Sequence, residues 1–334
     1  MIHEVAIIGA GPSGISLAQA LKEKCISSII LEMGECGNSW ANMPDHLGTI
    51  TFWKSNCLRP KDLTMNKQNK ISKASEIVQY LQYMAKGLDI RFSTKVESIT
   101  KRESHYIVMT SSGEIEAKRV VLATGYFYNP FIPDFKKENV SLKEIHFAEY
   151  KNRASVGEAK NILVVGKGLS AGQIIEELCP HEDLDISIST RGDIKFGAND
   201  FLSKMTLFLL PLFDLLYGLV SNKKMIVPMG YGAKKYVKNR FPNIAKISEK
   251  RVFFSNGDSR DFDLIIYCTG FRSVASKILG EDKIINFESQ KNEGVFYLGL
   301  EGLRNFKSRF LRGIREDAIA LASIIEKKVK GEVR

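Results

Sequence analysis

The sequence predicts an α/β fold built from two Rossmann-like βαβ domains, one of them inserted in the other. Two observations predict it. The stretch VAIIGAGPSG, residues 5–14, leads from an apolar strand into glycines spaced GxGxxG, and ILVVGKGLSA, residues 162–171, follows nearly the same pattern. Each turn precedes an apolar helix pattern and a second apolar strand, SSIILE at 27–32 and LDISIST at 184–190. This order of elements predicts parallel sheets with crossover helices.

The composition is that of an ordinary globular protein and limits the choice of partners. The chain has 334 residues, of which 44% are hydrophobic and 26% charged, enough for one large domain or two smaller ones. The net charge is +10, but the Lys/Arg clusters are short and match no recognition motif, so nucleic acid is not a predicted partner. Five scattered cysteines without a CxxC pair, and no signal-peptide pattern, predict a cytoplasmic protein.

The first glycine turn has the features of a dinucleotide site. Gly9 permits the tight turn, Gly11 lets a diphosphate approach the backbone, and Gly14 lets helix and strand pack closely. The N-terminus of the following helix offers unpaired N–H groups to the phosphates. Glu32, at the end of the second strand, can accept hydrogen bonds from both ribose hydroxyls. The cofactor-binding residues predicted here are Gly9, Gly11, Pro12, Ser13, Gly14 and Glu32.

The second turn differs at the end of its second strand. Ala171 replaces the third glycine, which is an accepted variant, and Arg191 stands where the first unit has an acid. A carboxylate repels the 2′-phosphate of NADPH, whereas a guanidinium attracts it. We therefore interpret the first unit as the FAD site and the second as the NADPH site, with hydride passing from nicotinamide to flavin. The residues predicted to bind NADPH are Gly166, Gly168, Ser170, Ala171 and Arg191.

Four further stretches, in order along nearly the whole chain, are similar to motifs of the class B flavin-dependent monooxygenases. They are GNSW (37–40), VVLATGYFYNPFIP (120–133), HFAEY (146–150) and FDLIIYCTGF (262–271). The resemblance is greatest to the short bacterial flavin monooxygenases and the plant indole-3-pyruvate monooxygenases. Three positions depart from it, because Asn38 replaces a glycine, and Val140 and Leu142 replace the Phe and Gly that begin the HxxxY signature.

The resemblance also implies how the chain is divided and which further residues meet the cofactors. We expect an FAD-binding domain of residues 1–152 and 286–334, and an inserted NADPH-binding domain of residues 153–285 that carries an apolar insertion at 201–220. The cofactor-binding residues that this adds are Trp40, Ala123, Thr124, Gly125, Gly270, Gly299 and Leu311.

Through the same resemblance, three residues are candidates for a catalytic role: Asn56, His146 and Tyr150. Asn56, in WKSNCLRPK, either hydrogen-bonds the flavin or the nicotinamide ribose or caps its own loop. His146 and Tyr150 end the HxxxY signature near the domain hinge, where a structural and cofactor-positioning role is the alternative to proton transfer. No Ser-His-Asp triad and no metal-ligand cluster stands out in the sequence.

The activity that the resemblance implies is that of an FAD-dependent NADPH:oxygen monooxygenase. NADPH reduces FAD, oxygen adds at flavin C4a, and the resulting (hydro)peroxyflavin oxygenates a small apolar substrate such as an amine, a sulfide, a ketone or a 2-oxo acid. A helix that begins near Phe310 is expected to point its N-terminus at the reduced flavin, with Arg309 or Arg312 beside it.

Water destroys such an oxidant, so apolar walls are expected around the flavin. The candidates are the segment 201–220 and, in the loop 38–60, the side chains of Trp40, Phe52 and Trp53. The segment 201–220 also has the length of a membrane helix, but Lys204, Pro211 and Asp214 interrupt it. A wall of the substrate site is the first interpretation, and peripheral membrane contact is the alternative.

Other flavoprotein functions use the same two nucleotide-binding folds and stay open. A disulfide reductase needs a cysteine over the flavin, and Cys36 and Cys57 are the candidates. An NADPH oxidase, or a quinone or ferredoxin reductase, transfers electrons without oxygenating a substrate. A flavoprotein that senses redox state, or that docks on a membrane through 201–220, is a non-catalytic alternative. Neither the substrate nor the oligomeric state follows from the sequence.

Overall fold

The computed structural model describes residues 1–199, 202, 205, 207–220 and 227–331. The elements of the N-terminal part are β1 (Ile2–Ile8), α1 (Pro12–Glu23), β2 (Ser28–Leu31), α2 (Asn38–Ala41), β3 (Gly48–Phe52), α3 (Trp53–Asn56), β4 (Ile71–Lys73), α4 (Ala74–Ala85), β5 (Asp89–Arg91), β6 (Val96–Lys101), β7 (Tyr106–Thr110) and β8 (Gly113–Leu122). Those of the middle part are β9 (Lys136–Glu138), β10 (Lys143–His146), β11 (Asn161–Val165), α5 (Leu169–Leu178), β12 (Asp185–Ser189), α6 (Leu210–Val220), β13 (Arg240–Phe241), β14 (Ile244–Ser248), β15 (Arg251–Phe254), β16 (Ser259–Asp261) and β17 (Leu264–Tyr267). The C-terminal part adds α7 (Ala275–Leu279), β18 (Ile284–Ile285), β19 (Glu288–Ser289), β20 (Val295–Tyr297) and α8 (Leu311–Lys330).

The first sheet joins the N-terminal and C-terminal parts of the chain. Its strands run in the order β18-β19-β20-β8-β1-β2-β5, and the hairpin β6-β7 pairs with β8. β1 lies parallel between β2 and β8, with Ile8 opposite Leu31 on one side and Leu122 on the other. α1 packs against α4 and α8, and the three helices bury one apolar cluster against this sheet. The last helix, α8, buries an apolar face whose members recur at helical spacing: Leu311, Ile314, Ala318, Leu321 and Ile325.

The second domain is built on a parallel sheet in the order β10-β17-β11-β12-β13. Side chains alternate along β11, as the period of a strand requires. Ile162 and Val164 pack with α5 in one cluster. Leu163 and Val165 pack on the opposite side with residues of the small sheet β16-β15-β14-β9. The predicted fold, two βαβ domains with one inserted in the other, is confirmed.

The sheets divide the chain earlier than the predicted boundary between residues 152 and 153. β9 and β10 precede this boundary, yet β9 pairs with β14 and β10 pairs with β17 in the second domain. β18, at Ile284–Ile285, pairs with β19 in the first sheet, close to the predicted return at 286. The chain crosses between the domains after β8 and after β17, where Pro130 and Phe271 form an isolated antiparallel bridge.

The apolar insertion lies against the first domain. Residues 201, 203, 204 and 206 of the predicted segment fall outside the described residues. The Phe208 ring meets the Phe52 ring edge-on, with 5.3 Å between centroids, and the Lys54 ammonium lies 5.2 Å from the Phe208 centroid. Across the parts of the chain that the structure describes, no helix combines the length and apolar character that crossing a membrane requires.

Candidate functional site

A cavity of about 1040 Å³ lies at the carboxyl ends of β1, β2, β8 and β20 and extends to the first turn of α5. This is where open parallel sheets bind their ligands. The predicted site residues that line it are Gly9, Gly11, Pro12, Ser13, Glu32, Trp40, Asn56, Ala123, Thr124, Gly125, Ser170, Gly299 and Leu311. The predicted residues outside its lining are Gly14, His146, Tyr150, Gly166, Gly168, Ala171, Arg191 and Gly270.

The three glycines of the first turn differ in what surrounds them. Gly9 has φ +108°, and a Cβ there would lie 2.7 Å from the Ala123 carbonyl oxygen. A Cβ on Gly14 would lie 1.9 Å from the Gly9 carbonyl oxygen. The fold itself therefore requires these two glycines. A Cβ on Gly11 would meet no protein atom within 4 Å, and this residue faces the cavity. A turn left bare toward open space fits a diphosphate group approaching the backbone.

Glu32 is held in place at the end of β2. Its two carboxylate oxygens accept hydrogen bonds from the backbone N–H groups of Ala10 at 2.7 Å and Gly34 at 2.9 Å. The side chain is buried but still lines the cavity. Since each carboxylate oxygen accepts more than one hydrogen bond, this arrangement fits the predicted ribose contact.

The second turn repeats the pattern of the first. Gly166 has φ +141°, and a Cβ there would lie 2.4 Å from the Cys268 carbonyl oxygen, whereas a Cβ on Gly168 would meet nothing within 4 Å. Gly168 precedes α5. Leu169 and Ser170, in the first helical turn of α5, line the same cavity as the glycine turn at residues 9–14. The second turn thus also has a bare position at a helix N-terminus, as a diphosphate site needs.

Two basic residues that are not among the predicted site residues, Lys167 and Arg240, lie beside the loop that carries Arg191. The Lys167 ammonium donates to the Arg191 carbonyl oxygen at 2.8 Å. The Arg240 guanidinium donates to the Gly192 carbonyl oxygen at 2.7 Å and to Thr190 Oγ1 at 3.2 Å. The loop that carries Arg191 is therefore braced by two cations. Lys167 lies between Gly166 and Gly168 of the glycine motif, so the sequence alone could have indicated that it lies near the predicted NADPH site. Arg240 comes from β13, which only the pairing with β12 brings close.

Asn56 lines the cavity while its amide group holds its own loop. Nδ2 donates to the Thr51 carbonyl oxygen at 2.7 Å, and Oδ1 accepts from Thr51 Oγ1 at 2.8 Å. These bonds support the loop-capping alternative. They leave the second amide hydrogen for a ligand in the cavity, so a cofactor contact by Asn56 stays a prediction.

His146 and Tyr150 lie behind the cavity rather than in its wall. His146 is fully buried, Nδ1 accepts from the Ala148 backbone N–H at 3.2 Å, and Nε2 lies 3.1 Å from the Gly270 carbonyl oxygen. This network assigns the proton of the neutral ring to Nε2. Burial raises the pKa of the fully buried Tyr150 hydroxyl, which faces the Glu177 carboxylate. The placement supports the structural, cofactor-positioning role over proton transfer.

The burial of His146 predicts a pH dependence of stability. Burial lowers the pKa of His146 below its ordinary value of 6.5, so the unfolded chain binds more protons than the folded protein as pH falls through that value. We expect the contribution of His146 to the free energy of unfolding to fall between about pH 7 and about pH 5, by at most about 1.4 kcal/mol per pH unit. Urea unfolding across this range should show a shallower slope for His146→Gln than for the unchanged protein; equal slopes would contradict it.

The predicted aromatic walls are partly wrong. Trp40 lines the cavity, but Trp53 donates from Nε1 to the Leu63 carbonyl oxygen at 3.0 Å and packs in the first core. Phe52 instead supports Phe208. No described residue of 207–220 belongs to the cavity lining. The contacts of the described insertion residues include Phe52 at the end of β3, Lys54 in α3 and Arg312 at the start of α8.

The first turn of α8 faces the cavity, as predicted. Phe310, Leu311 and Arg312 all line it. The two arginines predicted beside this helix start are both paired: Arg309, just before the helix, with Glu301 at 2.9 Å, and Arg312 with Asp214 through two hydrogen bonds of 2.8 and 3.2 Å. The helix N-terminus thus offers its backbone N–H groups and partial positive charge, while each guanidinium has an acidic partner.

The cysteines near the first turn are poorly suited to thiol chemistry. Cys36 and Cys57 are buried and free, and neither lines the cavity. Burial, with a smaller contribution from Glu32, raises the pKa of Cys36 to about 11, and burial also raises the pKa of Cys57. Because the thiolate is the nucleophile, these surroundings disfavour attack on a disulfide.

Comparison with known proteins gives a family and several relatives. The pyridine nucleotide-disulphide oxidoreductase family matches residues 6–296. The chain is 28% identical over 99% of its length to all of an uncharacterized oxidoreductase, CzcO, of Bacillus subtilis. It is 24% identical over its whole length to 92% of the probable indole-3-pyruvate monooxygenase YUCCA1 of Arabidopsis thaliana.

Two solved structures share the fold over 98% of this chain and all of theirs. A flavin-containing monooxygenase from Stenotrophomonas maltophilia superimposes with a TM-score of 0.83 at 20% identity. A bacillithiol disulfide reductase from Bacillus cereus superimposes with a TM-score of 0.73 at 19% identity. The resemblance to flavin monooxygenases read from the motifs is therefore confirmed.

Proposed function

The chain belongs to the pyridine nucleotide-disulphide oxidoreductase family, and from this premise we propose that it is an FAD-dependent NADPH:oxygen monooxygenase acting on a small apolar substrate. One observation carries the proposal. A single cavity is lined both by the bare glycine turn before α1 and by the first turn of α5, so two dinucleotides bound at these helices meet in one space. The residues of that space would hold the two cofactors side by side, where NADPH would supply the hydride and FAD the redox chemistry toward oxygen.

Under this proposal the residues predicted from the sequence divide between the two cofactors. FAD is held by the first turn, by Glu32 and by the residues after β8 and β20; those lining the cavity are Gly9, Gly11, Pro12, Ser13, Glu32, Ala123, Thr124, Gly125 and Gly299. NADPH is held by Gly168 and Ser170 at α5 and by Arg191, with Lys167 and Arg240 bracing the loop. His146 fixes the crossing at Gly270.

The part of the cavity wall that is not assigned to either cofactor excludes water and determines substrate specificity. Its aromatic residues are Trp40, Tyr126, Phe127, Tyr128, Phe147, Phe271 and Phe310. Apolar walls keep solvent away from the reacting groups and favour a small apolar amine, sulfide, ketone or 2-oxo acid. Oxygen and such a substrate are the proposed partners.

A disulfide reductase is the second candidate function. The description of the family and the Bacillus cereus reductase with the same fold favour it. The buried Cys36 and Cys57, with their raised pKa values, argue against it.

We also propose a cytoplasmic location. Peripheral membrane contact through 201–220 is a further proposal, which the exposed side chains of Leu212, Leu215 and Leu216 support.

The fate of the electrons from NADPH tests the proposal. With a panel of amines, sulfides, ketones and 2-oxo acids, we expect at least one compound to lower the hydrogen peroxide released per NADPH oxidised. The oxygenated product should account for the difference. Parallel assays of NADPH, oxygen, peroxide and product measure this balance.

Each alternative has its own outcome in the same assays. Peroxide equal to NADPH with every compound would identify an oxidase. NADPH oxidation driven by a low-molecular-weight disulfide without oxygen would identify a disulfide reductase, and this activity should then be lost in Cys36→Ser or Cys57→Ser.

A further inference from the structure

One ion pair connects the apolar insertion to the cavity. Asp214, in α6, accepts two hydrogen bonds from the Arg312 guanidinium, from Nε at 2.8 Å and from Nη2 at 3.2 Å. The Arg312 residue is 6% exposed, and the Asp214 side chain is 11% exposed. A bidentate carboxylate–guanidinium pair with this little solvent is a fixed contact rather than a surface pair.

Arg312 places its positive charge in the wall of the cavity. It belongs to the first turn of α8 and lines the cavity, and its guanidinium lies 4.8 Å from the Phe310 ring centroid. Arg315, one turn along the same helix, donates to the Cys57 carbonyl oxygen at 3.2 Å. This bond holds the start of α8 beside α3, whose last residue Asn56 lines the same cavity.

The net charge at this end of the cavity depends on Asp214. The N-terminus of α8 contributes a partial positive charge, and an unpaired guanidinium beside it would add a full one. Paired with Asp214, the guanidinium contributes little beyond the pair. Reduced flavin is anionic, so it is stabilised by uncompensated positive charge near the ring and destabilised by negative charge.

We propose that Asp214 is a positioning residue that sets the redox potential of the bound flavin by holding and neutralising Arg312. None of the described residues of the insertion lines the cavity. Its task is then to place a carboxylate against the Arg312 guanidinium, which lines the cavity that holds the flavin. The inference rests on the proposed function only in that the cavity holds FAD.

The test uses the two halves of the pair and measures the midpoint potential of bound FAD. Asp214→Asn leaves the guanidinium unpaired, so we expect reduced FAD to be favoured over oxidised FAD by about tenfold, a rise of about 30 mV for the two-electron couple. Arg312→Gln leaves the carboxylate unpaired and should shift the potential in the opposite direction. The double variant should return close to the original value, and Asp214→Glu should keep it.

Shifts of opposite sign separate charge from structure. If the pair were merely structural, the midpoint potentials of both single variants would shift in the same direction, and that of the double variant by at least as much. Same-direction shifts in the single variants overturn the proposal, and so does a double variant whose potential does not return toward the original value. Glu316→Gln is the matched control, because Glu316, on the same helix as Arg312, pairs with Lys307 at 2.9 Å, and neither residue of this pair lines the cavity. Its potential should be unchanged.

The measurement is independent of the proposed reaction. The potential is obtained by reductive titration against a reference dye without oxygen, NADPH or substrate. Failure of the oxygenation assays therefore leaves this result intact, whereas a protein that binds no FAD overturns the proposed function as well as this inference. If Asp214→Asn does not fold, the shift of Arg312→Gln still decides, since no shift or an upward shift contradicts the proposal.

Discussion

A Gly11→Ala variant is expected to fold and to purify without flavin. The added Cβ would meet no protein atom within 4 Å, and the backbone at Gly11, with φ −85° and ψ −172°, is one that alanine adopts freely. The change costs the helix at most about 1 kcal/mol at its N-cap. A diphosphate lying against the bare backbone would collide with the methyl group, and we expect FAD affinity to fall by at least about 100-fold, or about 2.7 kcal/mol.

The visible spectrum and thermal unfolding of the purified protein check this together. The expected result is a colourless protein with nearly the melting temperature of the flavin-free original. Gly14→Ala is the contrast, because its Cβ would lie 1.9 Å from the Gly9 carbonyl oxygen, and it should lose both folding and flavin. Yellow Gly11→Ala protein would place the diphosphate elsewhere.

An Arg191→Ala variant is expected to lose its preference for NADPH. The Arg191 side chain is exposed at the end of β12, and the contacts that Lys167 and Arg240 make near it go to backbone oxygens or to Thr190, so the loop should keep its shape. Loss of one charge-assisted hydrogen bond to the 2′-phosphate removes about 1.5–3 kcal/mol. The KM for NADPH should therefore rise about 10- to 100-fold, and that for NADH by less than about 3-fold.

Anaerobic flavin reduction with each nucleotide measures this change directly. Arg251→Ala is a matched control, since Arg251 is an exposed arginine bonded to Asp261 at 2.6 and 3.0 Å on β15 and β16, away from the glycine turns. Equal losses with NADPH and NADH in Arg191→Ala would exclude a phosphate contact.

Local patterns were sufficient to predict much of this molecule. Strand, glycine turn and helix follow one another within a few residues, so the positions of Gly11 and Gly168 came directly from the sequence. The apolar face of α8 was likewise readable, because its side chains recur at helical spacing and need no partner to be identified. These features depend on neighbours along the chain.

Features that depend on distant strands could not be predicted. Arg240 reaches the loop that carries Arg191 only because β13 pairs with β12, and in the sequence it is one of several basic residues close together. Trp53 was expected to face the flavin. Its indole N–H instead donates to the Leu63 carbonyl oxygen, and its ring packs in the core of the first domain. The partner of Arg312 lies in an insertion whose place against the first domain no local pattern specifies.

The chain enters and leaves the second domain at adjacent points, where it crosses between the two sheets. Phe131 N–H donates to the Gly270 carbonyl oxygen at 2.9 Å, beside the bridge between Pro130 and Phe271. Chain entry and exit are therefore about 5 Å apart, the spacing of neighbouring strands. Genetic recombination at these two points would exchange the second parallel sheet and the apolar insertion in one event, while the sheet that contains β1 stays uncut.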